Sequence, residues 1–206
     1  MAVTNPRNMV WRLVDETGHG ADLVTFVLPE EFSDHEGELL LETDIIAHVN
    51  GDNEHLPTLD LTWSNDDFQL LITLVSKMLP DDSNESGEVT LDFSDPATIE
   101  IIHIIASARF SEPFDLTELD MGPNILTHHE DIEVGDLVTI NSPTGYHLAV
   151  ITDLDSVEAL CIMLEEMTDT RRGLPIGIHD AARVSRKDLL PATFGNVHPG
   201  EDDLIH

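Results

Sequence analysis

The chain has 206 residues, 41 of them Asp or Glu and nine Lys or Arg, for a formal charge of −32, and 41% are hydrophobic. That apolar share, with Ile, Leu and Val grouped in runs, excludes an acidic disordered chain, which buries too little apolar surface to offset its ordering entropy. A single cysteine, Cys161, excludes an internal disulfide and a zinc site built on paired cysteines, and no stretch approaches the ~20 apolar residues that cross a membrane.

Met1 to Asn8 lacks an apolar signal core, so synthesis in the cytoplasm is expected. Val10–Val14 and Leu23–Leu28 read as strands separated by the turn-rich segment Glu16–Gly20. Leu39–Leu41 with Ile45–Val49 predicts a third, longer extended stretch. Asn50–Glu54 signals a loop, and Leu59–Trp63 alternates as a half-buried strand does.

The period then changes. Ser64 and Asp67 have capping-box spacing, with Asp in place of the usual Glu or Gln. Phe68, Leu71, Leu74, Val75, Met78 and Leu79 follow at helical spacing up to Pro80. Asp95 as N-cap and Pro96 at the first helical position open a second helix running towards Phe110. Ile101–Ile105 is apolar on nearly every face, which predicts deep burial and leaves a buried strand as the alternative. Between the helices, Gly87–Phe93 alternates like a strand.

Ser111–Glu130 holds Pro113, Gly122 and Pro123 and reads as a linker or irregular crossing. Beyond it the pattern is β throughout. Val134–Ile140 predicts one strand, Asn141–Gly145 a turn, Tyr146–Ile151 a second strand and Val157–Met163 a third. Ile176–His179 and Ala182–Val184 are expected as short closing strands. The Gly135-Asp136-Leu137-Val138 start, the Gly145–Ile151 strand and the Val184–Pro191 ending resemble a small SH3-like barrel covering about a third of the chain. The expected fold class is therefore α+β and β-rich. It comprises an α+β domain over 1–112, a linker over 113–130, an SH3-like barrel over 131–192 and a polar tail over 193–206.

No phosphate-binding glycine loop, dinucleotide fingerprint or serine-hydrolase elbow is present. Gly135–Val138 followed by Tyr146–Val150 resembles the histidine region of papain-like cell-wall peptidases. That family places its cysteine upstream of this region, whereas Cys161 lies downstream in the apolar run Ala159–Leu164 and reads as a buried, inert thiol. His128 and His129 are adjacent, so on an extended chain they point to opposite sides and suit solvent better than one shared ion. His48 and His103 read as partnered core residues. Asp82, Asn84, Ser86 and Glu88 match the first half of a calcium loop, but Phe93 stands where the bidentate glutamate belongs. A cation there is the cofactor alternative to no cofactor at all.

Positive charge is distributed more tellingly. Arg171, Arg172, Arg183, Arg186 and Lys187 place five of the nine basic residues within seventeen positions. Arginine forks suit carboxylate and phosphate oxygens, which points to a docking face for another acidic subunit. Internal pairing with Asp169, Asp180 and Asp188 is the competing expectation.

Self-repulsion at this charge density destabilises a compact state in dilute buffer, whereas in molar salt the Debye length falls to about 3 Å. Only Lys77 and Lys187 are lysines, and the lysine stem is what covers surface that hydrated carboxylates keep wet. In both respects the composition resembles that of proteins from extreme halophiles, meaning haloarchaea and their viruses. The resemblance, with the absence of catalytic motifs, implies a non-enzymatic structural protein, a virion component in capsid, connector or tail whose partners are other subunits. Nucleic acid and membrane spans are not expected. Two other classes stay open: a cation-dependent enzyme or regulator using the Asp82 loop, and an acidic DNA mimic.

Overall fold

A computed structural model describes residues 9–15, 21–30, 37–48, 58–79, 91–117, 132–169 and 173–192. The chain divides into two compact units, Met1–Glu112 and Pro113–His206. The architecture is α+β, with two helices and a body dominated by sheet. No helix among the described residues is long and apolar enough to cross a membrane.

In the first unit, β1 (Val10–Asp15), β2 (Ala21–Leu28), β3 (Leu39–His48) and β4 (Thr58–Thr62) form one antiparallel sheet in the order β3-β2-β1-β4. Alternation puts Trp11 and Leu13 of β1 and Val24, Phe26 and Leu28 of β2 into the core. Trp11 stacks on Trp63 at 4.9 Å between ring centroids, and Phe26 stands edge-on to Trp63 at 5.4 Å. On the opposite face Arg12 of β1 forks onto Asp60 of β4 through Nε and Nη2 at 2.8 and 2.9 Å, and reaches Glu38 through Nη1 at 2.9 Å. The fork holds the Asp60 carboxyl below its usual range.

Helix α1 (Asn65–Met78) begins where the sequence sets it. Ser64 Oγ accepts from the Asp67 amide at 3.1 Å and Asp67 Oδ2 accepts from the Ser64 amide at 2.8 Å, completing the capping box. Helix α2 (Pro96–Phe110) starts at the Asp95 cap, whose Oδ1 accepts from the Ala97 amide at 3.2 Å. Residues Pro96–Phe110 form a helix and not the alternative strand, and Ile101, Ile102, Ile104 and Ile105 are all buried. The helix packs along β3 and against α1, and Arg109 pairs with Asp67 to tie the end of α2 to the start of α1. Leu91–Phe93 forms no strand. Asp92 instead accepts from the Ser94 amide and hydroxyl, turning the chain into the α2 cap, while Gly87–Thr90 lies outside the described residues.

In the second unit, six strands line up as β12-β6-β7-β8-β11-β5. They are β5 (Phe114–Asp115), β6 (Leu137–Ser142), β7 (Gly145–Leu154), β8 (Glu158–Met163), β11 (Ala181–Ser185) and β12 (Leu189–Pro191). All neighbours are antiparallel except β5, which joins β11 in parallel. Among the described residues β12 and β5 do not pair, so the register closes no barrel. A separate hairpin joins β9 (Met167–Asp169) to β10 (Leu174–Ile176). The core gathers Val138 and Ile140 of β6, Ala149 and Ile151 of β7, Ala159 and Cys161 of β8, and Ala182 and Val184 of β11.

Three expectations shift here. The segment read as a linker from 113 opens with β5 and the buried Leu116, both part of this unit. The stretch Ile176–His179 is no strand beyond Ile176. His179 adopts φ 66°, and Asp180 Oδ2 accepts from the Gly177 amide at 2.7 Å, so Gly177–Asp180 is a side-chain-capped turn. The turn foreseen over Asn141–Gly145 narrows to Pro143 and Thr144, because Asn141 pairs with Tyr146 and Ser142 with Gly145.

Candidate docking face on the second unit

The basic cluster is built by one strand and the turn after it. On β11 the side chains of Ala182 and Val184 enter the core, so Arg183 between them points outward and is exposed. Its Nε lies 3.9 Å from Glu158 Oε2 on β8, with both side chains well exposed to solvent. A pair that long and that wet contributes at most about 1 kcal/mol.

After Ser185 the chain tightens into a 3-10 turn, Arg186–Asp188, which delivers it to β12. This turn is strapped to the one between β7 and β8. The Arg186 amide donates to the Val157 carbonyl, and Arg186 Nη1 donates to the Asp155 carbonyl, both at 3.0 Å. Asp155 Oδ1 in turn accepts from the Val157 and Glu158 amides at 2.7 Å. Those two amides hold the Asp155 carboxyl below its usual range, with smaller help from the charges of Arg186 and Arg183. The result is a stiff corner. Val157 stands at its tip with 64% of its surface exposed, beside Arg183 and Arg186, and Lys187 is exposed on the adjoining turn. Lys187 has no ion-pair partner among the described residues.

Of the acids expected to pair with the cluster, Asp180 and Asp188 have described side chains, and that of Asp169 lies outside the described residues. Asp180 caps the Gly177 turn, and Asp188 is 6% exposed with Oδ2 lacking any hydrogen-bond partner among the described residues. Burial pushes the Asp188 carboxyl above its usual range, and the charge of Lys187 opposes this only in part. Among the described residues, Glu158 pairs with Arg183, and Asp155 meets Arg186 through its backbone carbonyl. Their signal in the sequence is Asp155-Ser156-Val157-Glu158, an Asp followed within three residues by the amides it caps. Arg171 and Arg172 lie outside the described residues, as do Asp82, Asn84, Ser86, Glu88, His128 and His129.

Neither a protein-family model nor a curated protein matches the chain.

Two further side chains bear on the chemistry. Cys161 is buried on β8 opposite Ile151 and Ala182, and desolvation pushes its thiol up to about 12. Nucleophilic chemistry needs the thiolate, which that environment disfavours. His147, the histidine of the peptidase-like segment, shares a hydrogen bond of 3.1 Å with Thr144 Oγ1. In the first unit His103 of α2, half-buried, pairs with Asp44 of β3 at 3.2 Å; the side chain of His48 lies outside the described residues.

Proposed function

We propose that this chain is a non-enzymatic structural protein of a halophilic system. Its role is that of a virion component of a haloarchaeal virus, which joins neighbouring subunits through the corner formed by Val157, Arg183, Arg186 and Lys187. One observation carries the reading: the exposed Val157 stands with Arg183, whose ion pair spans 3.9 Å, and the exposed Lys187 on a chain with 41 acidic residues. In molar salt, screening within about 3 Å leaves only contact-range attraction. An interface working there needs apolar burial and guanidinium forks, and this corner offers both. The reading of the second unit as an SH3-like module draws on its strand order. Five antiparallel strands run β12-β6-β7-β8-β11, with a 3-10 turn before the last in sequence.

Reversing the charge of two exposed side chains tests the assignment. Arg183→Glu with Lys187→Glu is expected to abolish self-association in molar KCl, read by sedimentation velocity, while the melting transition stays in place. A variant that melts normally and still associates like the parent refutes the docking role.

A further inference from the structure

The strand that closes the second unit's sheet is held by few backbone bonds. Strand β12 is three residues long and pairs only with β6: Leu189 opposite Ile140, Leu190 opposite Thr139 and Pro191 opposite Val138. Pro191 has no N–H, and the Leu189 amide donates to the Arg186 carbonyl, so at most the Leu190 amide of this strand donates across to β6. Thr139 Oγ1 adds one long hydrogen bond, 3.5 Å, to the Ala192 carbonyl. What seats the strand is its side chains, since Leu189 and Leu190 are both buried. The turn before it is anchored at its first residue, Arg186, which bonds to the Val157 and Asp155 carbonyls. Beyond that anchor Lys187 is exposed, and Asp188 is buried with Oδ2 unpartnered among the described residues. A carboxylate taken from water without a partner costs free energy, which an opened turn would give back.

We infer that β12 is exchanged between two copies of this chain. Each β12 leaves its own sheet at Lys187–Asp188 and completes the partner's sheet beside β6, in the register it has at home. This goes beyond docking through the basic corner and does not depend on it. The exchanged pair buries the same leucines and forms the same ladder as two closed chains, so those contacts cancel in the comparison. What differs is the hinge. Opened out, it carries Asp188 into water in both copies, and that gain offsets part of the cost of bringing two chains together. The opened single chain exposes two leucines and an unpaired β6 edge, so it is a minor species and exchange is slow. Salt promotes the exchange by screening the repulsion between two highly acidic chains, and protein concentration promotes it by mass action.

A cysteine pair placed in the shared register tests the exchange. Thr139→Cys with Leu190→Cys, made in a Cys161→Ala background, sets two thiols directly opposite each other. Opposed Cα atoms of an antiparallel pair lie about 4.5–5.5 Å apart, which a disulfide spans. The protein is equilibrated reduced at high concentration in molar KCl, then oxidised and run denatured without reductant. Exchange is expected to give a covalent species of twice the chain mass, which neither single-cysteine protein forms. Asp188→Asn, which makes the buried hinge side chain neutral, is expected to lower the exchanged fraction about tenfold or more. A disulfide that closes only within one chain at every concentration overturns the inference. Thiols that stay free do so too, because closed and exchanged chains alike hold these positions face to face. So does a dimer formed as readily by either single-cysteine protein, or an exchanged fraction that Asp188→Asn leaves unchanged.

Discussion

At Asp188 a carboxyl sits 6% exposed, with one oxygen unpartnered among the described residues, in the turn that feeds the closing strand of the second unit. Desolvation favours the neutral acid, so the folded carboxyl titrates above the unfolded one. Between those two values the folded state keeps a proton that the unfolded chain has released. Stability therefore falls as pH rises through that window, and the loss persists at neutral pH. Asp188→Asn removes this titration. Melting curves across pH are expected to show the variant more stable at neutral pH by about 1 kcal/mol, the scale of an unsatisfied buried polar group. The gain should vanish below the ordinary carboxylate range. An unaltered or lower melting temperature at neutral pH contradicts the assignment. In the sequence Asp169, Asp180 and Asp188 look alike as counter-charges for the nearby arginines. That Asp188 is buried and Asp180 caps a turn depends on the strand register, and that is set by contacts distant in sequence.

Strand β3 shows what an element adds beyond its residues. Leu23 pairs with Ile46 and Thr25 with Glu42, so three residues of β3 oppose Val24 alone. This is a bulge, and Thr43 holds it: its hydroxyl donates to the Val24 carbonyl at 2.7 Å and accepts from the Ile45 amide at 3.2 Å. Thr43→Val keeps the shape and strands both backbone partners in a buried site. The expected destabilisation of the first unit is ~1–2 kcal/mol, measured by denaturant unfolding. A change of only a few tenths would show that the hydroxyl is dispensable. A bulged edge that carries carboxylates also resists strand-on-strand growth. Both helices were legible because capping residues and apolar period agree at Ser64 with Asp67 and at Asp95 with Pro96. The long strands β1, β2 and β7 were legible from their apolar runs. The bulge was not, since Leu39–His48 reads as one extended run whatever its partner's register. Nor were β5, β9 and β10, because two or three residues carry no period. The basic cluster was visible as charge; Val157 at its tip was not, because exposure of a lone valine follows from the Asp155 turn beneath it.

At the scale of the whole molecule, charge governs the account. With −32 on 206 residues, repulsion acts on every conformation that brings the two units' surfaces into a compact volume, and dilute buffer leaves it unscreened. Local pairs offset little of it. Arg12 forms an exposed network with Asp60 and Glu38, and such networks contribute on the order of 1 kcal/mol, less in brine. The proposed subunit contact has the same dependence, since two chains of this charge approach only when salt shortens the reach of their fields. Thermal unfolding followed by circular dichroism from molar KCl down to millimolar buffer tests the central claim most directly. A cooperative transition in molar salt that weakens and disappears as salt is withdrawn is the predicted result. A chain that keeps the same cooperative melt in millimolar buffer contradicts the claim, and its carboxylates would then require a cationic ligand.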